Sequence, residues 1–106
     1  MKIFNRQKPA GGENGQALSR EVVLQNTYGM HVRPAHLFAK LASRFNAEVT
    51  VEKGGTVVSG KSIMGLMTLE APVGTRLRVT AKGPEAAQAL DELEKLIGRK
   101  FDITDE

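Results

Sequence analysis

The sequence predicts a two-layer α+β fold, a four-stranded sheet with three helices on one face. Three observations carry this expectation. Pro34, Leu37, Phe38, Leu41, Ala42 and Phe45 recur at three- and four-residue steps, and so do Ala86, Ala89, Leu90, Leu93, Leu96 and Ile97. That spacing is the apolar stripe of a helix lying on a core. Leu77, Val79 and Ala81 alternate with Arg76, Arg78 and Thr80, which makes a strand with one wet face. Gly54-Gly55 separates two β-prone runs as a hairpin turn does. The order is strand, helix, strand, strand, helix, strand, helix.

Residues 8–16 are polar, glycine-rich and without periodicity, as flexible linkers are. Residues 1–19 are therefore read as a flexible extension, in which Ile3 and Phe4 could dock as a short anchor, and residues 20–106 as the domain. Val22, Val23 and Leu24 make residues 21–25 a buried strand. The first helix runs to about Phe45, where Asn46 can end it in a left-handed conformation. Val49-Thr50-Val51 and Thr56-Val57-Val58-Ser59 flank the hairpin turn. Ser62 is a good N-cap for a short helix over 63–69. Gly65 weakens that helix by roughly 1 kcal/mol relative to alanine, so packing must hold it. Pro72 and Gly74 break the chain before the Leu77 strand. Gly83-Pro84 opens the last helix, with Glu85 in its first turn, Gly98 as its stop, and Arg99 and Lys100 suited to its end. Residues 101–106 are left unassigned.

Composition narrows the function. The 106 residues suffice for one modest core, and 41% hydrophobic with 25% charged residues is ordinary for a globular domain. With no cysteine, disulfide and thiolate chemistry are excluded. No apolar run approaches the roughly 18 residues of a membrane span, and the N-terminus lacks the apolar core of a secretory signal. A cytoplasmic protein without membrane insertion is expected. A net charge of +3 suits an anionic ligand or acidic partner, and five aromatics, none interleaved with basic clusters, argue against nucleic acid.

The chemistry gathers in Tyr28-Gly29-Met30-His31-Val32-Arg33-Pro34-Ala35. Pro34 fits a first helical turn, because its missing N–H would have no partner there. Gly29 can bend the chain sharply into the helix. His31 and Arg33 then sit where backbone N–H groups point outward and the helix dipole is positive, a natural anion site. A histidine there is placed to carry a phosphoryl group as well as to bind one. Neutral imidazole is nucleophilic and needs no separate base. Phosphoryl transfer is mostly positioning and charge, so few residues are required. A carrier must also release its cargo. Each 1.4 kcal/mol of extra stabilisation shifts onward transfer about tenfold against it. One arginine beside the histidine meets that requirement. A plain capping histidine is the bland alternative. His36, five residues on, is wrongly spaced for a same-face metal pair and reads as an exposed helix residue.

Gly29-x-His31-x-Arg33-Pro34-Ala35 resembles the signature of the HPr family, the histidine-containing phosphocarriers of the phosphoenolpyruvate:sugar phosphotransferase system. Lys61-Ser62-Ile63-Met64-Gly65-Leu66-Met67 resembles that family's regulatory-serine segment, and the likeness runs from about Glu21 to Ile97. The resemblance implies an open-faced β-sandwich with an antiparallel sheet. His31 matches the histidine phosphorylated on Nδ1 by enzyme I at the expense of phosphoenolpyruvate. Arg33 matches the arginine beside that phosphoryl group. Ser62 matches the serine modified in some bacteria by HPr kinase/phosphorylase. Ile63, Met64 and Met67 match apolar positions that dock partners, and methionine suits a surface that meets several of them.

The implied protein is a monomeric carrier of the phosphotransferase system, serving either sugar transport or a nitrogen-type regulatory branch. It needs no cofactor or metal, and passes phosphate from enzyme I to an acceptor of enzyme IIA type; it is not a turnover catalyst. The alternative is a regulatory binding module, whose Ser62-phosphorylated form controls a transcription factor or sensor. Tyr28 stands where many relatives have Ser, Thr or Asn. That change and the long leading segment separate this chain from a simple phosphocarrier.

Overall fold

The computed structural model describes residues 16–103. Strands β1 (Ala17–Val23), β2 (Glu48–Lys53), β3 (Thr56–Ser59) and β4 (Arg76–Lys82) form one sheet in the order β1-β4-β2-β3. Every neighbouring pair is antiparallel. Helices α1 (Val32–Ala42), α2 (Ile63–Thr68) and α3 (Ala86–Gly98) cover one face, and a 3₁₀ turn (Lys100–Asp102) closes the described chain. The expected α+β, two-layer, open-faced architecture with a β-α-β-β-α-β-α order is what the chain adopts.

The period-two pattern decides which strand residues meet the helices. Val49, Val51, Leu77, Val79 and Ala81 point into the core with Phe38, Leu66, Leu90 and Leu93. The opposite face is wet. Ser19, Thr80, Thr50 and Ser59 are register partners across all four strands, and the Ser19 and Thr80 hydroxyls lie 2.8 Å apart. One row along, Glu21 sits 3.5 Å from Arg76 and 3.4 Å from Arg78.

Several boundaries differ from the sequence expectation. β1 starts at Ala17 and ends at Val23, not over 21–25. Ala17, Leu18 and Ser19, read as part of the extension, pair with Lys82, Ala81 and Thr80. Leu18 packs against the core, whereas Val23 faces the wet side and is exposed. The other residues of that segment, 1–15, with the Ile3 and Phe4 anchor, lie outside the described residues. Helix α1 stops at Ala42, because Ser43 caps it by donating its hydroxyl to the Ala39 carbonyl at 2.8 Å. Asn46 instead ties two loops together: its amide donates to the Glu85 carboxylate at 2.6 Å, and its carbonyl accepts from Glu85 N at 3.1 Å. Gly98 is the last residue of α3 rather than the first beyond it. Past it, Phe101 and Ile103 turn back and are buried.

Candidate functional site

His31 is the N-cap of α1, with extended backbone (φ −92°, ψ −170°), and its carbonyl accepts the first helical bond from Ala35 N at 3.0 Å. Pro34 brings no N–H to the first turn, so the amides of Val32 and Arg33 are the first-turn donors without a carbonyl inside the helix register. The first turn holds no acidic residue. Its charge is the Arg33 guanidinium and the positive end of the helix, and both Arg33 and Val32 are exposed.

The entry into the helix is built by the preceding turn. Asn26 accepts from Gly29 N through its carbonyl at 3.1 Å, and its side-chain amide donates to the Gly29 carbonyl at 2.7 Å. Gly29 takes a left-handed conformation (φ +66°). Its backbone lies against Ala71 and Pro72, so that a Cβ there would come within 2.8 Å of Pro72 Cα. Met30 N donates to the Ala71 carbonyl at 2.8 Å, which fastens the turn to the β4 approach. The Gly29 carbonyl then accepts from His31 N at 3.0 Å and lies 3.2 Å from His31 Nδ1.

The imidazole is half-buried, and the Tyr28 ring meets it edge to face, with centroids 6.0 Å apart and planes at 77°. Tyr28 is itself 67% exposed. In place of a small polar group, the site thus has an aromatic wall beside its histidine. His36 is exposed on α1, as expected.

The second block lies on the helix packed beside α1. Ser62 caps α2 by accepting from Gly65 N at 2.9 Å, as its residue type predicts. Leu66 anchors α2 in the core and Ile63 is half-buried against it. Met64 is 78% exposed, and Met67 is exposed as well. The two methionines therefore lie on the surface rather than in the core. Sequence reasoning missed Asn26, the one buried polar residue among the described residues. The signal available was an Asn-x-x-Gly spacing, common in tight turns. The Ala71 and Pro72 contact carried no local signal.

A family model described as the phosphorylation site of the phosphotransferase-system HPr component matches residues 18–99. The chain belongs to the HPr family. It is 40% identical over 80 residues to the phosphocarrier protein HPr of Borreliella burgdorferi, covering 76% of this chain and 93% of that protein. It is also 40% identical over 85 residues to the phosphocarrier protein NPr of Shewanella violacea, covering 80% and 93%. Among solved structures, HPr-C-His from Thermoanaerobacter tengcongensis superposes with a TM-score of 0.79 at 36% identity, covering 81% of this chain and 97% of that one. As an HPr-family member the chain has the role of a phosphotransferase-system phosphocarrier, a carrier rather than a catalyst. Among the described residues, no cluster of His, Asp and Glu could hold a metal ion, and no helix is long and apolar enough to cross a membrane.

Proposed function

We propose that His31 accepts a phosphoryl group from phosphoenolpyruvate through enzyme I and passes it to an enzyme IIA-type acceptor. The observation that carries this reading is the imidazole at the N-cap of α1, half-exposed, with Arg33 in a first turn free of carboxylates. The His31 ring supplies the lone pair. The transferring group spreads negative charge over its oxygens, and the Arg33 guanidinium with the first-turn amides of α1 meets that charge. The ring is half-exposed and Arg33 is exposed, which suits a product held loosely enough to be passed on. Val32, Ile63, Met64 and Met67 give the partners an apolar landing surface, and the basic residues of α1 favour acidic ones. The carrier acts as a monomer in the cytoplasm, without a cofactor.

Ser62 is the regulatory site, modified by an HPr kinase/phosphorylase. A phosphate there adds about two negative charges at the start of α2. The helix start tolerates them, and their effect falls on docking, since anionic partners are repelled.

Incubation with phosphoenolpyruvate and enzyme I tests the main reading. One acid-labile phosphate per chain is expected, absent from His31→Ala. An acid-stable, alkali-labile phosphate on the variant would move the site to Ser62, and an unchanged acid-labile signal would defeat the assignment of His31.

A further inference from the structure

We propose that Asn26 is a positioning residue for the phosphoryl-accepting ring, acting through the Gly29 carbonyl to hold His31 as its Nδ1–H tautomer in the resting carrier. This rests on the reading of His31 as the acceptor. Asn26 is fully buried, and its side-chain amide donates to the Gly29 oxygen at 2.7 Å. The same oxygen takes the His31 backbone N–H at 3.0 Å and lies 3.2 Å from His31 Nδ1. A carbonyl oxygen only accepts, so the ring contact requires the proton on Nδ1 and leaves the lone pair on Nε2. The carbonyl is aimed from both sides. The left-handed Gly29 sets the peptide plane, and the Asn26 amide fixes it from the core. The Tyr28 ring limits how the imidazole can tilt away.

This geometry orders the events of transfer to Nδ1. The Nδ1 proton leaves to water, Nε2 takes one from water, and the ring swings off the carbonyl, whose oxygen would repel a bare Nδ1 lone pair. That lone pair then forms the N–P bond, while the bond from phosphorus to the donor protein breaks and the donor keeps its electron pair. The phosphorylated ring can no longer donate to Gly29. Asn26 therefore favours the empty carrier over the loaded one and lowers its hold on the phosphate.

The test reads the tautomer directly, from ¹⁵N chemical shifts of the His31 ring in the full chain at about pH 8.5, above the ordinary imidazole range near 6.5. The wild-type ring is expected to be mostly Nδ1-protonated; a ring mostly protonated on Nε2 overturns the proposal. In Asn26→Ala the ratio of Nε2–H to Nδ1–H should rise about two- to tenfold, the range spanned by one net hydrogen bond. Should that variant not fold, Asn26→Asp, which keeps the shape and removes the donor, carries the same expectation. A folded variant with an unchanged ratio excludes Asn26 as the positioning group. A wild-type ring protonated on Nδ1 that nevertheless takes no phosphate from enzyme I upholds the tautomer and defeats the acceptor reading instead.

Discussion

At the scale of single residues, the site depends on a position with no side chain. Gly29 bends the chain at φ +66°, and a methyl group there would strike the Ala71 carbonyl oxygen and Pro72. Alanine in this conformation costs about 1–2 kcal/mol before any clash is counted. Gly29→Ala is expected to lower stability by about 2 kcal/mol or more in denaturant unfolding, and to displace His31 from the N-cap so that phosphorylation slows. A variant with wild-type stability and rate would show that the turn is not needed. The places of His31 and Ser62 before their helices, and of Arg33 in a first turn, were legible in the sequence, because capping and dipole effects act within one turn of helix. Asn26 was not, since its role depends on being buried, and burial is set by distant residues such as Ala71. The exposure of Met64 and Met67 was open for the same reason: a six-residue helix with one glycine has too few apolar residues to reveal its inward face.

Among the elements, α2 is the one held most by its neighbours. It has six residues, a glycine in its first turn, and only Leu66 fully buried. Ser62 is its cap, and Ser62→Ala should cost about 1 kcal/mol, read as a lower thermal midpoint. No change would indicate that tertiary packing alone sustains the helix. The join between β1 and α3 is of a different kind. Arg20 lies on the inner face of β1 and reaches Asp91 at 2.6 Å and Glu94 at 3.0 Å. The Asp91 hydrogen bond, ahead of the opposing effect of burial, and then Glu94 hold the guanidinium above its ordinary range. A raised folded-state value stabilises fully below the unfolded value and fails only as pH rises past the folded one. For an arginine that lies at the strongly alkaline end, so titration of Arg20 does not weaken the fold near neutrality. All three groups are partly solvated, so Arg20→Met should change stability by no more than about 1 kcal/mol at physiological salt. A larger loss would show that the bridge matters more than its exposure implies. The α3 stripe was readable in full because its six apolar residues follow one period without interruption, and all six are buried. The end of α1 was misplaced because Phe45 continues the apolar spacing past the Ser43 cap. β1 was placed late because Leu18 and Arg20, its other inward residues, do not form an apolar run.

For the whole molecule, the last described residues complete the core. Phe101 and Ile103 are buried beyond the end of α3, with the 3₁₀ turn against both α1 and α3. Phe101→Ala should cost about 3–5 kcal/mol in chemical unfolding, as large-to-small changes in a core do. A loss below about 1 kcal/mol would mean that residues 101–103 merely rest on the surface. Its position was invisible in the sequence, where Lys100, Asp102 and the residues after Ile103 surround the two apolar side chains with polar ones. The strand order has a consequence for synthesis. β4, the last strand in sequence among the described residues, is hydrogen-bonded to both β1 and β2. A nascent chain that has not yet extruded residues 76–82 holds a single hairpin and an unpaired β1. Cooperative collapse of the sheet must therefore wait until residues 76–82 have left the ribosome, and until then the nascent chain meets the cell with its strand edges uncovered.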